Sequence, residues 1–491
     1  MTNFFIDQHG CAKNQVDGEL IATRLINLGL EQTFVPEQAD LIIVNSCGFI
    51  ESAKKESLDA VVAAKQTYPH AKILLTGCLA ERYSQILKSN LPEADGIFGN
   101  GDISKIDQIV KELQEGERPV EVYKQQGVCC GERKILLGFR GSAFVKITEG
   151  CSNHCSFCAI PLIRGELRSR KADEIISEIK FLVSKGVVEI NLIGQDLAAY
   201  GTGKGDNVFD DGEYPLPALD KDGKNLGTTK LSALARLLMM ISEIQGNFVV
   251  RTLYIHPDHF NRDILSVMKK DPRLLPYFDI PFQSGDTEII RKMNRKGSFE
   301  EYERLVNDIR SELPGAILRT TFLTGFPGEK DSSAKRTLEF LKTIQSDWSG
   351  CFPYSMEEDT PAYNFKHKVS AKKAQKRADL LVEAQGEITR EHLKKHVGNE
   401  YDVLIEEVVA GEDGLAIGRA WFQAPDVDGS VVVRYERDDK AQNDIVKSGR
   451  MVRAKIVAVS DVDLDAVLVG DSKINAKSAD SNLLFAPELV D

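Results

Sequence analysis

The chain has 491 residues, enough for about three domains of ordinary size. Its formal net charge of −12 argues against a protein that coats nucleic acid with basic side chains, and it is compatible with a basic partner. The first ten residues lack the basic and apolar regions of a secretory signal, and no apolar run reaches the ~20 residues of a membrane helix. We therefore expect a cytoplasmic protein whose nine cysteines serve metal binding or catalysis rather than disulfides.

The first segment, residues 1–134, alternates short apolar runs with helix-like stretches. This alternation predicts a parallel sheet covered by helices. The predicted strands are Phe4–Ile6, Leu41–Val44, Lys72–Leu75 and Gly96–Phe98. The predicted helices are Asp17–Leu28, Glu51–Ala64, Glu81–Leu87 and Ile103–Leu113.

Three cysteines follow the first three of these strands. Cys11, Cys47 and Cys78 each come just after a predicted strand and next to a glycine, which lets the backbone approach a bulky group closely. Ligands of open parallel sheets bind outside the carboxyl ends of the strands, so we expect the three thiols to converge on one crevice. The alternative is three small residues buried independently at strand ends, since free cysteine is often buried. The repeated placement favours a three-thiol site.

The segment from Gln125 to Lys134 is polar and contains glycine, and we interpret it as a linker. Its adjacent cysteines, Cys129 and Cys130, have no partner at metal-ligand spacing, so we interpret them as incidental. Cys351, far along the chain, is interpreted as a packing residue.

The most specific pattern of the chain lies within residues 149–170, where Cys151, Cys155 and Cys158 have C-x3-C-x2-C spacing. A tight run of cysteines wraps one inorganic centre. A closed structural zinc site uses four protein ligands, whereas a four-iron cluster held by three thiolates keeps one iron open for a substrate. The alternative is an incomplete zinc knuckle, with His154 or a distant residue as its fourth ligand. The spacing favours the cluster and leaves His154 a bystander.

Residues 137–370 repeat the strand and helix alternation six times, which predicts an open or partial (β/α)6 barrel with its chemistry at the carboxyl ends of the strands. The cysteine loop follows the first strand, as this arrangement requires. Residues 202–229, rich in Gly, Asp and Lys, form a long exposed excursion that is either functional or disordered. The predicted strands are Phe144–Ile147, Glu189–Ile193, Val249–Tyr254, Phe278–Ile280, Leu318–Phe322 and Gly350–Tyr354. The predicted helices are Ala172–Lys185, Leu231–Ile244, Arg262–Met268, Thr287–Met293, Phe299–Leu313 and Lys335–Ile344.

The carboxyl-terminal part changes character. Residues 371–396 predict a charged connecting helix, and residues 397–470 predict a small β-barrel of short strands. Residues 471–491 read as a tail or a strap, and the sequence does not decide between them. The predicted strands of the barrel are Tyr401–Glu406, Leu415–Ala420, Gly429–Tyr435 and Met451–Val459.

Two three-cysteine sites followed by a small β-barrel resemble the methylthiotransferases. These are radical S-adenosylmethionine (SAM) enzymes with an amino-terminal methylthiotransferase domain, a radical SAM barrel and a terminal TRAM domain. The resemblance covers about residues 1–470. Its best-matched blocks are Gly10–Glu19, Glu149–Arg170, Ile280–Gly285 and Arg319–Glu329.

The resemblance implies two [4Fe–4S] clusters. One is expected on Cys11, Cys47 and Cys78, and the other, which binds SAM, on Cys151, Cys155 and Cys158. Arg164 and Arg168 follow the second set of cysteines, and a solvated surface position is an equal alternative to a role at the site.

The resemblance also implies side chains near SAM. Phe157 fits the aromatic residue that commonly precedes the third cysteine. Gln195 and Asp196 end the second barrel strand, where the superfamily holds the SAM amino group. Gln283 and Arg319 are expected to contact SAM or substrate, with a structural role as the alternative for each.

Such an enzyme replaces an unactivated C–H bond by C–S–CH3. A side-chain base cannot remove so weakly acidic a hydrogen, because such bases work best near the operating pH. In this family one SAM yields a 5′-deoxyadenosyl radical that abstracts the hydrogen, sulfur at the first cluster traps the carbon, and a second SAM supplies the methyl group. The protein brings both clusters and the target together in a dry pocket, and a low-potential donor supplies the electron.

The family divides by substrate. One branch modifies tRNA adenosines, and the other, the RimO type, modifies the β-carbon of an aspartate in small-subunit ribosomal protein twelve. The block G-C-A-K-N-Q-V-D at Cys11 is closer to the RimO pattern G-C-P-K-N-x-V-D than to the G-C-Q-M-N of the tRNA branch, with Ala12 as the departure. The run A-P-D-V-D-G at Ala424–Gly429 is also RimO-like.

Charge gives an independent argument on the substrate. Residues 396–470 contain 15 acidic and 8 basic side chains, a formal charge of −7. Such a barrel would be repelled by tRNA phosphates and attracted to a basic ribosomal protein, although a solvated acidic face has the same composition. We predict a RimO-type aspartate methylthiotransferase. A tRNA methylthiotransferase and a zinc-holding, ribosome-associated scaffold are the competing hypotheses.

Overall fold

A computed structural model describes residues 1–123, 127–128, 130–210, 215–219, 225–412, 414–474 and 484–485. Cys129, part of the linker around it, two stretches of the excursion at 202–229 and most of the tail lie outside these residues. Within them the chain forms an amino-terminal parallel sheet, an open parallel barrel and a closed β-barrel. The predicted fold class is therefore confirmed.

The amino-terminal sheet has six parallel strands in the order β2-β1-β3-β4-β5-β6. Its strands are β1 Asn3–Gln8, β2 Glu31–Gln32, β3 Leu41–Ser46, β4 Lys72–Gly77, β5 Gly96–Phe98 and β6 Val120–Glu121. Its helices are α1 Ala12–Asn27, α2 Glu51–Thr67, α3 Cys78–Asn90 and α4 Ile106–Gln114. Because β3 and β4 are buried on both faces, they read in the sequence as continuous apolar runs.

The middle region contains the open barrel. The strands of this region, not all of which belong to the barrel, are β7 Ile135–Leu136, β8 Ser142–Lys146, β9 Thr148–Glu149, β10 Arg168–Ser169, β11 Glu189–Ile193, β12 Pro215–Leu219, β13 Asn225–Lys230, β14 Val249–Thr252, β15 Leu274–Asp279, β16 Ile317–Thr324 and β17 Trp348–Pro353. Its helices are α5 Ile160–Arg164, α6 Ala172–Ser184, α7 Ala233–Ser242, α8 Asp263–Met268, α9 Thr287–Lys292, α10 Phe299–Glu312 and α11 Asp331–Ile344. Strands β8, β11, β14, β15, β16 and β17 pair in chain order, and every pair is parallel. This is the six-unit barrel that the alternation predicts.

Two predictions outside the barrel strands need correction or completion. The excursion at 202–229 contains β12 and β13, which pair in antiparallel orientation, so it is not purely a loop. Near the carboxyl terminus, β23 Leu484–Phe485 pairs in parallel with β7, and Phe485 packs against the core of the barrel. For these two residues the strap interpretation is the better one.

The remaining elements are a long helix and the closed barrel. They are α12 Ala371–Lys394, β18 Glu400–Val408, β19 Leu415–Ala420, β20 Val431–Arg434, α13 Lys440–Ile445, β21 Met451–Ser460 and β22 Asp463–Asp471. Helix α12 is more than a connector, because it packs on β16 and β17, and its Gln385 exchanges two hydrogen bonds with Ser346 at 2.8 and 2.9 Å. The sequence analysis missed β22. Its start alternates the buried Leu464 and Ala466 with Asp463 and Asp465, although the apolar residues 466–469 that follow were an available signal.

A buried ionic cluster docks the closed barrel against the starts of the open-barrel strands. Glu189, the first residue of β11, accepts from Arg251 at 3.0 Å and from Arg419 of the closed barrel at 2.8 Å. Arg419 also donates to Glu406 at 2.5 Å. Burial alone would raise the pKa of Glu189, but the two guanidinium groups hold it well below its usual range. The closed barrel thus covers the end of the open barrel opposite the cysteine loop.

We expect Glu189→Ala to lower the free energy of unfolding by about 3 to 5 kcal/mol, because it removes the carboxylate shared by two buried guanidinium groups. The measurement is urea unfolding followed by tryptophan fluorescence. Both tryptophans of the chain report on this junction, since Trp348 donates to the carbonyl of Phe422 and the carbonyl of Trp421 accepts from Arg251.

The matched control is Asp59→Ala, which removes an exposed ion pair with Lys55. That substitution should change the free energy of unfolding by no more than about 0.5 kcal/mol. A Glu189→Ala protein as stable as this control would show that the cluster does not hold the two barrels together.

Candidate metal centres

The carboxyl edge of the amino-terminal sheet carries three thiols. Strands β1, β3 and β4 lie side by side, with Cys11 directly before α1, Cys47 directly after β3 and Cys78 as the first residue of α3. A Cβ on Gly10, the neighbour of Cys11, would lie 3.5 Å from the sulfur of Cys47, and the sulfur of Cys78 lies 3.6 Å from Oδ1 of Asn14 in α1. The structure therefore brings the three predicted residues together. That they bind metal stays a prediction.

Two glycines permit this convergence. Gly10 has a φ of +89°, and a Cβ there would lie 3.1 Å from the Cβ of Cys47. Gly77 has a φ of +90°, and a Cβ there would lie 2.6 Å from the carbonyl oxygen of Ser46. A larger residue at either position would strain the backbone and push the cysteine-bearing loops apart.

The three thiols differ in their surroundings. Cys78 is buried, and its sulfur lies 3.3 Å from Nη2 of Arg164 and 3.4 Å from Nδ2 of Asn100. Burial raises the pKa of Cys78 to about 12 and also raises that of Cys47. The side chain of Cys11 is exposed. Desolvation of its sulfur by the surrounding protein would by itself raise the pKa of Cys11, but the positive charges of Lys13 and Arg164 lower it. A cation or cluster would therefore displace protons from Cys47 and Cys78 when it binds.

The second set of thiols lies in the loop after β9. The backbone N–H of Cys151 donates to the carbonyl of Gly165 at 3.0 Å, and that of Cys158 donates to the carbonyl of Cys155 at 3.0 Å. Burial raises the pKa of Cys151 and of Cys158 to about 12, and the neighbouring Cys155 adds to both shifts. These contacts keep the three cysteines in one loop, and that they bind one cluster stays a prediction.

Two side chains that the sequence analysis missed lie beside this loop. Nε2 of His256 is 3.9 Å from the sulfur of Cys155, and Nδ1 accepts from the backbone N–H of Asp258, so the ring proton lies on Nε2 and faces the sulfur. Burial, with the charge of Arg295, lowers the pKa of His256 to about 3 and keeps the ring neutral. Arg295 is buried and lies 6.0 Å from the ring of Phe157. Both residues are more than 90 positions from the cysteine motif in sequence. The H-P-D-H run after β14 was the available signal for His256.

Asp196 ties the cysteine loop to the end of β11. Its fully buried carboxylate accepts from Asn153 of the loop at 2.9 Å, from His259 at 2.8 Å and from the backbone N–H groups of Ala198 and His256 at 3.1 Å each. Burial alone would raise the pKa of Asp196, but these partners hold it below its usual value. The carboxylate is therefore charged.

Gln195, the neighbour of Asp196, is half-buried. The contact of both residues with the SAM amino group stays a prediction.

Gln283 and Arg319 occupy different positions relative to the cysteine loop. Gln283 follows β15 with a φ of +69°, and its backbone forms a bridge with Phe322. Arg319 lies near the start of β16, where its guanidinium is ion-paired with Asp428 of the closed barrel. Asp428 also accepts from the hydroxyl of Tyr277 at 2.6 Å. Arg319 thus has a structural role at the barrel junction, and its contact with SAM or substrate stays a prediction.

The other predicted bystanders lie apart from these interactions. His154 is exposed and faces Glu166 at 3.5 Å. Cys130 is exposed, and its sulfur lies 3.7 Å from the carboxylate of Glu174. Cys351 is half-buried within β17.

The surface alternative for Arg164 is wrong. Its side chain is 3% exposed and donates to Glu149 at 2.5 Å, to Asp17 at 2.9 Å and toward the sulfur of Cys78 at 3.3 Å. Arg168 remains partly exposed and donates to backbone carbonyls. Arg164 therefore connects the loop of one thiol site to a thiol of the other.

Comparisons with known proteins agree with this geometry. Family models match residues 3–99 (uncharacterized protein family UPF0004), 145–341 (radical SAM superfamily) and 397–469 (TRAM domain). The ribosomal protein uS12 methylthiotransferase RimO of Treponema denticola is 50% identical over 481 residues, covering 94% of this chain and all of that protein. The proteins of the same name from Bdellovibrio bacteriovorus and Clostridioides difficile are 35% and 37% identical, covering 94% and 88% of this chain and 96% and 93% of theirs.

The chain belongs to the RimO family of methylthiotransferases. The predicted family is confirmed, and so are the family's cofactors, SAM and [4Fe–4S] clusters. The residues present fit two such clusters, since each site offers three thiols and an N–H donor facing a sulfur, from Arg164 or from His256. Among the described residues of this RimO-family chain, no helix has the length and apolarity to cross a membrane.

In the metal-free protein we expect iodoacetamide to alkylate Cys11 well before Cys78. Cys11 is exposed and its pKa is lowered, whereas Cys78 is buried with a pKa of about 12, and only the thiolate reacts. Peptide mass spectrometry over a time course near neutral pH measures both rates in one sample. Cys351, half-buried and within a strand, is the internal reference with which both alkylation rates are compared. Equal rates for Cys11 and Cys78 would contradict the arrangement described.

Proposed function

We propose that this chain is a uS12 methylthiotransferase, which replaces a hydrogen on the β-carbon of an aspartate in that ribosomal protein by a methylthio group. The observation that carries the proposal is the meeting of two three-thiol sites, one from the sheet edge and one from the barrel loop, at Arg164. The relatives that match nearly the whole chain bear the name of this activity, which supports the same conclusion.

Each site would hold one cluster. Cys11, Cys47 and Cys78 would bind the first, and Cys151, Cys155 and Cys158 the second, where an iron without a protein ligand is available to SAM. When bound, SAM and the clusters supply hydrogen abstraction by a radical, the sulfur atom and the methyl group. Phe157, Gln195 and Asp196 remain the proposed side chains near SAM. Gln283 and Arg319, the latter at the junction with the closed barrel, remain proposed contacts of SAM or substrate.

The chain's own residues prepare this chemistry. Asp196 holds the cysteine loop through Asn153, and the Nε2–H of His256 faces the sulfur of Cys155. The closed barrel contacts the opposite end of the open barrel through Arg419 and Phe422. The reacting carbon therefore has to approach from the side on which the two thiol sites meet.

The surface of the closed barrel suits a basic protein substrate. Acidic side chains are exposed on several of its strands and loops, and they include Glu400, Glu407, Glu412, Glu436, Asp438, Asp439, Asp444, Asp461 and Asp471. Opposite charges speed the encounter and fix its orientation, while phosphate groups would be repelled. This favours a ribosomal protein, free or in the ribosome, over tRNA.

Further parts of the proposal concern organisation. We place the domain limits at 1–134, 137–370 and 397–470, with a connecting helix at 371–396 and a carboxyl-terminal segment at 471–491. We also place the enzyme in the cytoplasm, where ribosomal proteins are made, and expect a low-potential electron donor as a second partner.

The first test is mass spectrometry of uS12 from cells with and without the gene. We expect one aspartate to carry about 46 Da of added mass, the replacement of H by SCH3, and to lose it on deletion. An unmodified uS12 in wild-type cells, with 2-methylthioadenosine lost from tRNA on deletion, would transfer the proposal to the tRNA reaction.

The second test separates the two clusters. The triple variant Cys11→Ala, Cys47→Ala, Cys78→Ala should bind about half the iron of the wild-type protein, still cleave SAM and add no methylthio group. Iron analysis and SAM turnover are the measurements, and Cys351→Ala, which should keep all the iron, is the control. Full iron content in the triple variant would refute the ligand assignment.

A further inference from the structure

One guanidinium group stands between the two thiol sites. Arg164 is the last residue of α5, in the segment that carries Cys151, Cys155 and Cys158, but its side chain reaches into the amino-terminal domain. There its Nη2 lies 3.3 Å from the sulfur of Cys78 and 3.2 Å from Oδ1 of Asn14. The loop of one site thus donates a hydrogen bond to a thiol of the other.

Buried charges fix this side chain in place. Nη1 of Arg164 donates to Glu149 at 2.5 Å, and Nη2 donates to Asp17 at 2.9 Å. Nζ of Lys146 lies 2.5 Å from Asp17 and 2.6 Å from Glu149. The four side chains are at most 6% exposed, so the guanidinium cannot turn away from Cys78 without leaving a buried carboxylate short of a partner.

The net charge of these four side chains affects the reduction potential of a redox centre beside them. Two carboxylates face two cations, so the set is neutral while Arg164 is present. Without Arg164, one negative charge would be in excess beside Cys78, and a hydrogen bond to its sulfur would be lost. Hydrogen bonds to the sulfurs and the net charge nearby both set the potential of an iron–sulfur cluster, and both changes would make it harder to reduce.

We propose that Arg164 is a positioning residue that joins the SAM-site loop to the thiolate of Cys78 and raises the reduction potential of the cluster on Cys11, Cys47 and Cys78. The inference rests on the cluster assignment of the proposed function. A side chain that only held two domains together would affect stability and leave the potential of that cluster unchanged.

The test is a potentiometric titration of the reconstituted full-length holoenzyme, followed by electron paramagnetic resonance. A variant with alanine at Cys151, Cys155 and Cys158 identifies which signal belongs to the first cluster. We expect Arg164→Gln to shift the reduction equilibrium of that cluster at least tenfold toward the oxidised form, which is about 59 mV for one electron. Arg168→Gln is the matched control, because Arg168 lies on the same segment and donates to the carbonyls of Gly127, Arg164 and Glu166.

Arg164→Lys keeps the experiment decisive if the glutamine variant does not fold. Lysine preserves the charge but lacks the planar fork that serves several acceptors at once, so we expect a smaller shift in the same direction. A first cluster that is fully loaded and has the control's potential in these variants overturns the inference alone. A wild-type holoenzyme without iron at Cys11, Cys47 and Cys78 overturns the proposed function as well.

Discussion

Four buried charged side chains, Lys146, Asp17, Glu149 and Arg164, hold the amino-terminal sheet against the open barrel. Each of them contacts two of opposite charge, and this matters because an unpaired buried ion costs several kcal/mol. Lys146 ends β8, the strand that leads through β9 into the cysteine loop, and Asp17 lies in α1, the helix that begins after Cys11. The relative position of the two thiol sites therefore follows from a set of charges that is stable only when all its members are present.

The open barrel depends on its neighbours at both ends of its strands. At the carboxyl ends it meets the amino-terminal domain through the four charges, and at the strand starts it meets the closed barrel through Glu189 and Arg419. A six-stranded open sheet leaves its interior accessible to water at both ends, which is unfavourable for radical chemistry. The three-part architecture is thus one structural unit around a single interior.

Much of the fold could be predicted from the sequence, because its signals are local. Buried parallel strands read as continuous apolar runs, and thiols at strand ends converge whatever the details of packing. The position of Arg164 could not be predicted, since its burial depends on Asp17, which is distant in sequence, and an arginine after a motif fits the surface and the site equally well. The ion pair of Arg319 with Asp428 could not be predicted either, because a strand sequence does not reveal which barrel a side chain faces. The aspartates that alternate with Leu464 at the start of β22 obscured that strand.

The polar groups nearest the thiols argue against a closed zinc site at either position. The groups facing Cys78 include a guanidinium and an amide nitrogen, neither of which is a metal ligand. Facing Cys155 is the protonated Nε2 of His256, whose other ring nitrogen already accepts from Asp258, so this imidazole is a donor to sulfur. Such donors tune the potential of a redox centre and have no comparable effect on zinc, which has no redox chemistry. The arrangement favours iron–sulfur clusters, held by three thiolates each, over a structural scaffold.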